Sequence, residues 1–237
     1  MDSFTFQENS YSFKGHSYKV ACATHSSQHP SWYSFEDESS VRDAMWDVRP
    51  GACVFDVGAA YGSYTLTALA AGATRVFAWS PQGEPGIPQE REFLAESLRR
   101  NGWSDRVTTY GTGVYDRDGW LNAMTQEFSV ELPTSFNNDV IQVGRLDSWY
   151  ENDFVPNESK NAYSEFWLKL DVEGAEVDVL RAATHLIGDL RPHIQVENHN
   201  FKRATIEAEV RAVLTGLGYR EIATNPYHAV SHSLYKF

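Results

Sequence analysis

The chain is short of basic residues, of cysteine and of long apolar runs. Lys and Arg number 20 against 32 Asp and Glu, a formal net charge of −12 over 237 residues. A surface of that sign repels phosphate backbones and disfavours nucleic acid as a partner. Two cysteines, Cys22 and Cys53, exclude a disulfide framework, and Cys53 reads as a small hydrophobe opening a buried strand. No apolar stretch approaches the ~20 residues that span a bilayer, so no membrane partner is expected. Met1 to Gly15 has neither a basic start nor an apolar run, which argues against a signal peptide. These absences lead to a soluble cytoplasmic protein. What is present, 42% hydrophobic and 14% aromatic residues, suffices for one sizeable core. The length is too small for two full domains with linkers.

Strand and helix signals alternate along most of the chain. Residues 1–35 hold one alternating stretch, Tyr18-Lys19-Val20-Ala21-Cys22, and read as an N-terminal cap or lid segment. From residue 36 to 237 the pattern is that of one domain. A helix over 36–48 ends at Arg49-Pro50-Gly51; strands follow at 52–57, 75–79 and 106–110, with helices at 62–71 and 89–101 between them. Residues 120–144 look like hairpins or irregular chain. The second half gives strands at 166–172 and 193–197, helices at 175–183 and 207–217, and two closing strands at 219–222 and 234–237. Such alternation implies an α/β fold, a mostly parallel sheet with helices on both faces. The last strands suit an antiparallel edge.

The most informative stretch is Val54-Phe55-Asp56-Val57-Gly58-Ala59-Ala60-Tyr61-Gly62, a buried strand running into a glycine-punctuated turn and a helix. In open α/β sheets nucleotides bind at such turns. The dinucleotide fingerprint G-x-G-x-x-G is not met, because Asp56 holds its first position and Gly62 stands one place too far on. The D-x-G-x-x-x-G spacing suits a cationic nucleoside without phosphate, such as S-adenosylmethionine (SAM).

Three strands end in acids: Asp56, Asp171 and Glu197. The crevice rule turns all three towards one cleft. Lys169, Asp171 and Glu173 alternate and share a face, and such a charged row at the tip of an apolar strand is costly unless paired or used. Glu176, at the next helix start, reads as compensation for the helix dipole. Glu197-Asn198-His199-Asn200 is rich in proton carriers and ligand atoms. His199 suits a general base near neutral pH. Asp171 and Glu197 suit two ligands of a divalent ion such as Mg²⁺.

The glycine turn, the block Leu168-Lys169-Leu170-Asp171-Val172-Glu173-Gly174-Ala175-Glu176, the segment Arg191-Pro192-His193-Ile194-Gln195-Val196-Glu197 and the short Arg145-Leu146-Asp147-Ser148-Trp149 together resemble the FkbM-type SAM-dependent methyltransferases. The likeness runs in order from about residue 38 to the end. It implies a Rossmann-like class I methyltransferase fold with a seven-stranded sheet, and methyl transfer to a hydroxyl of a small molecule, a sugar or polyketide-like acceptor. Carried over by position, it implies SAM contacts from Asp56, Gly58, Ala60, Tyr61, Gly62 and Asp171, with Thr112 and Gly113 bordering the adenine. Ser80 stands where such enzymes hold an acid for the ribose hydroxyls, and the nearest acid in sequence is Glu84. Lys169, Asp171, Glu197 and His199 are the catalytic candidates. The alternatives are N-methylation of a small amine or nucleobase, and a degenerate SAM-binding or partner subunit without activity.

Overall fold

The computed structural model describes residues 6–23, 39–81, 90–122, 127–130 and 140–237. The chain opens with a hairpin, β1 (Phe6–Phe13) and β2 (His16–Ala23), and helix α1 (Ser39–Met45) follows. Next come β3 (Cys53–Val57), α2 (Ser63–Ala70), β4 (Arg75–Trp79), α3 (Glu90–Asn101) and β5 (Val107–Tyr110). Four short strands fill the middle: β6 (Gly113–Val114), β7 (Gly119–Asn122), β8 (Phe128–Ser129) and β9 (Val140–Gly144). Helix α4 (Leu146–Trp149) continues through a π-helical turn, Tyr150–Phe154. The second half is β10 (Phe166–Leu170), α5 (Glu176–Arg181), α6 (Thr184–Leu190), β11 (His193–Asn198), α7 (Ile206–Gly216), β12 (Arg220–Tyr227) and β13 (Val230–Lys236).

Seven strands form the central sheet in the order β12-β13-β11-β10-β3-β4-β5. All neighbours from β11 to β5 pair in parallel, while β13 is antiparallel to both β11 and β12. The reversed strand therefore stands one place in from the edge. β12 and β13 are one hairpin, and its second arm inserts between the first arm and β11. Both closing strands are longer than their apolar patterning suggests: β12 lies on the edge and is largely exposed, and β13 buries polar Ser231, His232 and Ser233.

The inner parallel strands β3, β4, β10 and β11 are buried on both faces, as their apolar runs require, while β5 at the edge is only partly covered. On β3 the alternation sends Cys53, Phe55 and Val57 into a core with Phe77, Leu168 and Val196, covered by α5, α6 and α7. Val54 points the other way, to Val76 and Trp167, under the N-terminal hairpin and α1, α2 and α3. The aromatic content concentrates in these layers; Phe55 stacks on Phe77 at 5.8 Å, and Trp46 meets Trp167 edge-on at 4.9 Å.

The described part of the 1–35 segment is built into this second core. Its two strands join through Lys14-Gly15, both with positive φ, as a tight hairpin turn needs. Phe13, Tyr18, Val20 and Cys22 are buried there. The Ala21 N–H donates to Ser97 Oγ at 2.8 Å and the Lys19 N–H to Asn101 Oδ1 at 2.9 Å, fastening β2 along α3. Residues 24–38, and Glu84 with the rest of 82–89, lie outside the described residues.

The region 120–144 contributes to a second sheet of four strands, ordered β6-β9-β7-β8. Among the described residues no helix is long and apolar enough to cross a membrane.

Candidate active site

The carboxyl ends of β3, β4 and β10 converge on a cavity of about 280 Å³, closed on another side by the small sheet. The turn after β3 is drawn towards β4, since the Gly58 and Ala59 N–H groups both donate to the Trp79 carbonyl, at 3.0 and 2.8 Å. It is drawn towards β10 by the Asp171 N–H, which donates to the Val57 carbonyl at 3.0 Å. Gly58 makes the second approach possible. Its φ is +85°, and a Cβ there would stand 1.8 Å from the Asp171 carbonyl oxygen. A side chain at Gly58 would therefore break the join between β3 and β10 before it met any ligand. Ala60 and Glu173, both on the cavity wall, hold positive φ without being glycine, at 45° and 55°. Such strain persists where the surroundings enforce it, and it clusters at functional sites.

Gly58, Ala60, Ser80, Gly113 and Asp171 line the cavity. Asp56, Tyr61, Gly62 and Thr112 are not among its lining residues. Asp56 lies one residue below the tip, on the strand face turned to α2, where Thr65 Oγ1 donates to its Oδ2 at 2.6 Å. It is 1% exposed, and burial raises its pKa against the opposing pull of Thr65 and Lys169. Tyr61 packs its ring on Phe93 at 5.6 Å, and burial pushes its phenol up to about 12. Gly62 caps α2 with φ +88°; a Cβ there would come within 2.4 Å of Leu94 Cδ1. Thr112 sits in the bend one residue before the wall at Gly113. Leu121, Ile141 and Val143 give the wall its apolar side. They belong to the weakly patterned stretch 120–144. No residue of the described hairpin, 6–23, reaches the wall.

Of the four catalytic candidates only Asp171 is on the wall; Lys169, Glu197 and His199 stand behind it. Lys169 is 1% exposed, with Nζ 3.2 Å from Asp171 Oδ2, 3.8 Å from Glu197 Oε2 and 4.5 Å from the centre of the Tyr64 ring. Its ammonium lies between Asp171 and Glu197, the pair suited by pattern to a divalent ion, and with that cation in place the pair does not fit Mg²⁺. Burial works against ionisation of Asp171, yet Lys169 and His199 hold its carboxyl below the usual range.

His199 follows β11 and is 3% exposed. Its Nδ1 lies 2.6 Å from Glu176 Oε1, and Nε2 lies 3.6 to 3.7 Å from oxygens of Asp171, Glu173 and Glu197. Burial alone would lower its pKa; the Glu176 hydrogen bond and the surrounding carboxylates outweigh that and lift it to about 9. His199 is therefore not the near-neutral base expected of an unperturbed imidazole. Glu176, at the start of α5 where it suits the helix dipole, does more than that. It is fully buried, and its Oε1 also accepts the Gly174 N–H at 2.9 Å. Asp171, Glu173 and His199 each offer a ligand atom within 4.8 Å of the others, the one such group of three among the described residues.

One further wall residue escaped the sequence reading. Glu90, the first residue of α3, reaches the cavity beside Ser80, whose Oγ donates to Glu90 Oε2 at 3.1 Å. Glu90, like Glu176, begins a helix, and the residues three and four places on are buried: Phe93 and Leu94, Val179 and Leu180. Those spacings put them on the inward face and could have revealed them.

The Methyltransferase FkbM domain family matches residues 56–221. Among solved structures, the methyltransferase FkbM from Methylobacillus flagellatus KT superposes with a TM-score of 0.54 at 20% identity, over 81% of this chain and 44% of that one. A putative SAM-dependent methyltransferase from Streptococcus mutans gives 0.55 at 9% identity, over 97% and 55%. A putative methyltransferase, SMU.776, complexed with S-adenosylhomocysteine (SAH), gives 0.55 at 8%, over 97% and 56%. The chain spans about half the length of these structures, and at such identities they bear on the fold alone. A search of curated proteins found no match to the sequence. The strand order, the turn after β3 and the family match over more than half its length agree: the chain belongs to the FkbM domain family of SAM-dependent methyltransferases, with the class I fold.

Proposed function

We propose that this domain moves the methyl group of SAM to a hydroxyl of a small molecule, a sugar or polyketide-like acceptor. The observation that carries the reading is the wall itself. Three carboxyl groups, Asp171, Glu173 and Glu90, border a cavity otherwise lined by Ser80, glycine turns and apolar side chains. That pattern fits a ligand with a cationic centre, hydroxyls and a flat base. When bound, SAM supplies the electrophilic methyl for an in-line displacement. The chain's part is to hold the acceptor in line and to take its proton. Asp171 is the group that meets the acceptor hydroxyl. His199, its Nε2 3.6 Å from Asp171 Oδ1, takes the proton on, and Lys169 keeps Asp171 ionised meanwhile. Because His199 holds its own proton up to about pH 9, kcat/KM should rise with pH towards that value.

The test is turnover by Asp171→Asn and His199→Ala, each about 10²- to 10⁴-fold below wild type with SAH affinity kept. Full turnover in both variants would overturn the site. A metal-assisted version has one observation in its favour, the Asp171, Glu173 and His199 group, with Glu176 orienting the imidazole as outer carboxylates do for metal-bound histidines. EDTA that abolishes wild-type turnover, with recovery in Mg²⁺, would decide for it. Methyl transfer to a small amine draws on the same acids, and product analysis with paired hydroxyl and amine acceptors separates the two. The reading takes nucleic acid and membranes to be no part of the reaction and the compartment to be the cytoplasm. The two buried free thiols, Cys22 and Cys53, accord with the latter.

A further inference from the structure

The tip of β4 is the second strand position of a nucleotide-binding sheet, where an acid ordinarily takes the ribose hydroxyls. Here it carries Ser80, which is 3% exposed and held by its own N–H, donating to the Tyr110 carbonyl at 3.1 Å. A serine has one hydroxyl proton, and this one is already given to Glu90 Oε2 at 3.1 Å. Its Oγ keeps lone pairs that can accept, but a single neutral oxygen is a weaker acceptor for a vicinal diol than a carboxylate.

Glu90 is better placed. It is half-buried, lines the same cavity and is fixed at the start of α3 by Phe93 and Leu94 one turn on. A carboxylate offers about four acceptor sites, so one bond from Ser80 leaves room for two more. Among the described residues Ser80 is its one side-chain donor. Burial raises its pKa, the Ser80 hydrogen bond opposes that, and the charges of Asp171 and Glu173 add to the rise. Two hydroxyls arriving together would relieve that state, since hydrogen bonds to a charged acceptor are the strong ones.

We propose that Glu90 is the ribose-diol acceptor of the SAM site and that Ser80 is its positioning residue, the acid having moved from the strand tip to the first turn of α3. This rests on the methyltransferase reading above. It removes the main support for a degenerate site, because the missing acid is supplied from ten residues further along the chain.

The experiment is calorimetric titration of SAH and of its 2′-deoxy analogue into wild type, Glu90→Gln and Ser80→Ala. Wild type should bind SAH and prefer it to the deoxy analogue by about tenfold. Glu90→Gln should weaken SAH by about ten- to a hundredfold and lose that preference. Ser80→Ala should weaken SAH by a smaller factor while keeping part of the preference, as a positioning role requires. Ser80→Glu should also weaken SAH, because two adjoining carboxylates oppose each other's ionisation. Glu90→Gln that folds, binds SAH as wild type does and still discriminates against the deoxy analogue would overturn the proposal and leave the methyltransferase reading standing. No SAH binding by wild type would overturn both.

Discussion

His199, just past the tip of β11, and His232, inside β13, are buried to the same degree, at 3% and 0% exposure, and both sense the charge of Asp171. They titrate in opposite directions. His199 has a carboxylate in hydrogen-bond contact at 2.6 Å and is lifted to about 9. His232 lies opposite Glu197 in the strand register, with Nε2 3.9 Å from Glu197 Oε2, too far for a hydrogen bond. Burial and then the Lys169 charge press it down to about 3, against the pull of Asp171. Depth alone does not decide the charge of an imidazole; a bonded acceptor does. The region at the tips of β10 and β11 is thus a network of paired ions, while the neighbouring strand carries a neutral ring.

The largest expected effect is on the acid side. His232 has a folded pKa of about 3, below its unfolded value, so the unfolded chain takes up the extra proton as pH falls from ~6.5 towards ~3. Stability is lost over that window at up to about 1.4 kcal/mol per pH unit, on the order of 5 kcal/mol in all. Urea unfolding of His232→Gln between pH 4 and 6.5 should show a shallower pH slope than wild type. Equal slopes would mean that the ring is not neutral in the fold.

Next is Lys169→Met, which removes the cation between Asp171 and Glu197 and leaves both acids without it. The expected loss is about 3–5 kcal/mol of stability at pH 7, measured by chemical denaturation. It should also raise the pKa of His232, whose second cause of depression is Lys169. A loss below ~1 kcal/mol would show that the tip does not depend on this pairing.

The smallest effect is the alkaline limb. His199 has a folded pKa of about 9, above its unfolded value, so its contribution is complete below ~6.5 and is lost as pH rises through ~9. The share at stake is on the order of 3 kcal/mol. Glu176→Gln should flatten that limb and bring the His199 titration, followed by NMR of its ring protons, back towards neutrality. An unmoved titration would assign the lift to Asp171 and Glu173 instead.

Much of this site is written in local pattern. The apolar runs at 53–57 and 166–170 give the strands, the glycines at 58 and 62 give the turn, and the alternation of Lys169, Asp171 and Glu173 gives their shared face. Asp56 shows how the same rule misleads. It shares the parity of Val54, so it points to α2 and not to the cavity, and only the position of the turn reveals that it stands below the strand tip. The small sheet was illegible for a plainer reason: β6 and β8 are two residues long, too short to carry any period.

The sequence by itself determined the seven-stranded α/β framework, the family and the presence of acids at one end of the sheet, because strand period, turn glycines and motif spacing are properties of neighbouring residues. Only the tertiary structure decided which acids act together. Lys169 supplies the cation between Asp171 and Glu197, Glu176 sets the proton of His199, and Glu90 reaches the tip of β4 through Ser80. Each of those pairings joins side chains from different elements, and their energies depend on burial and on distances of a few ångströms that no local pattern encodes.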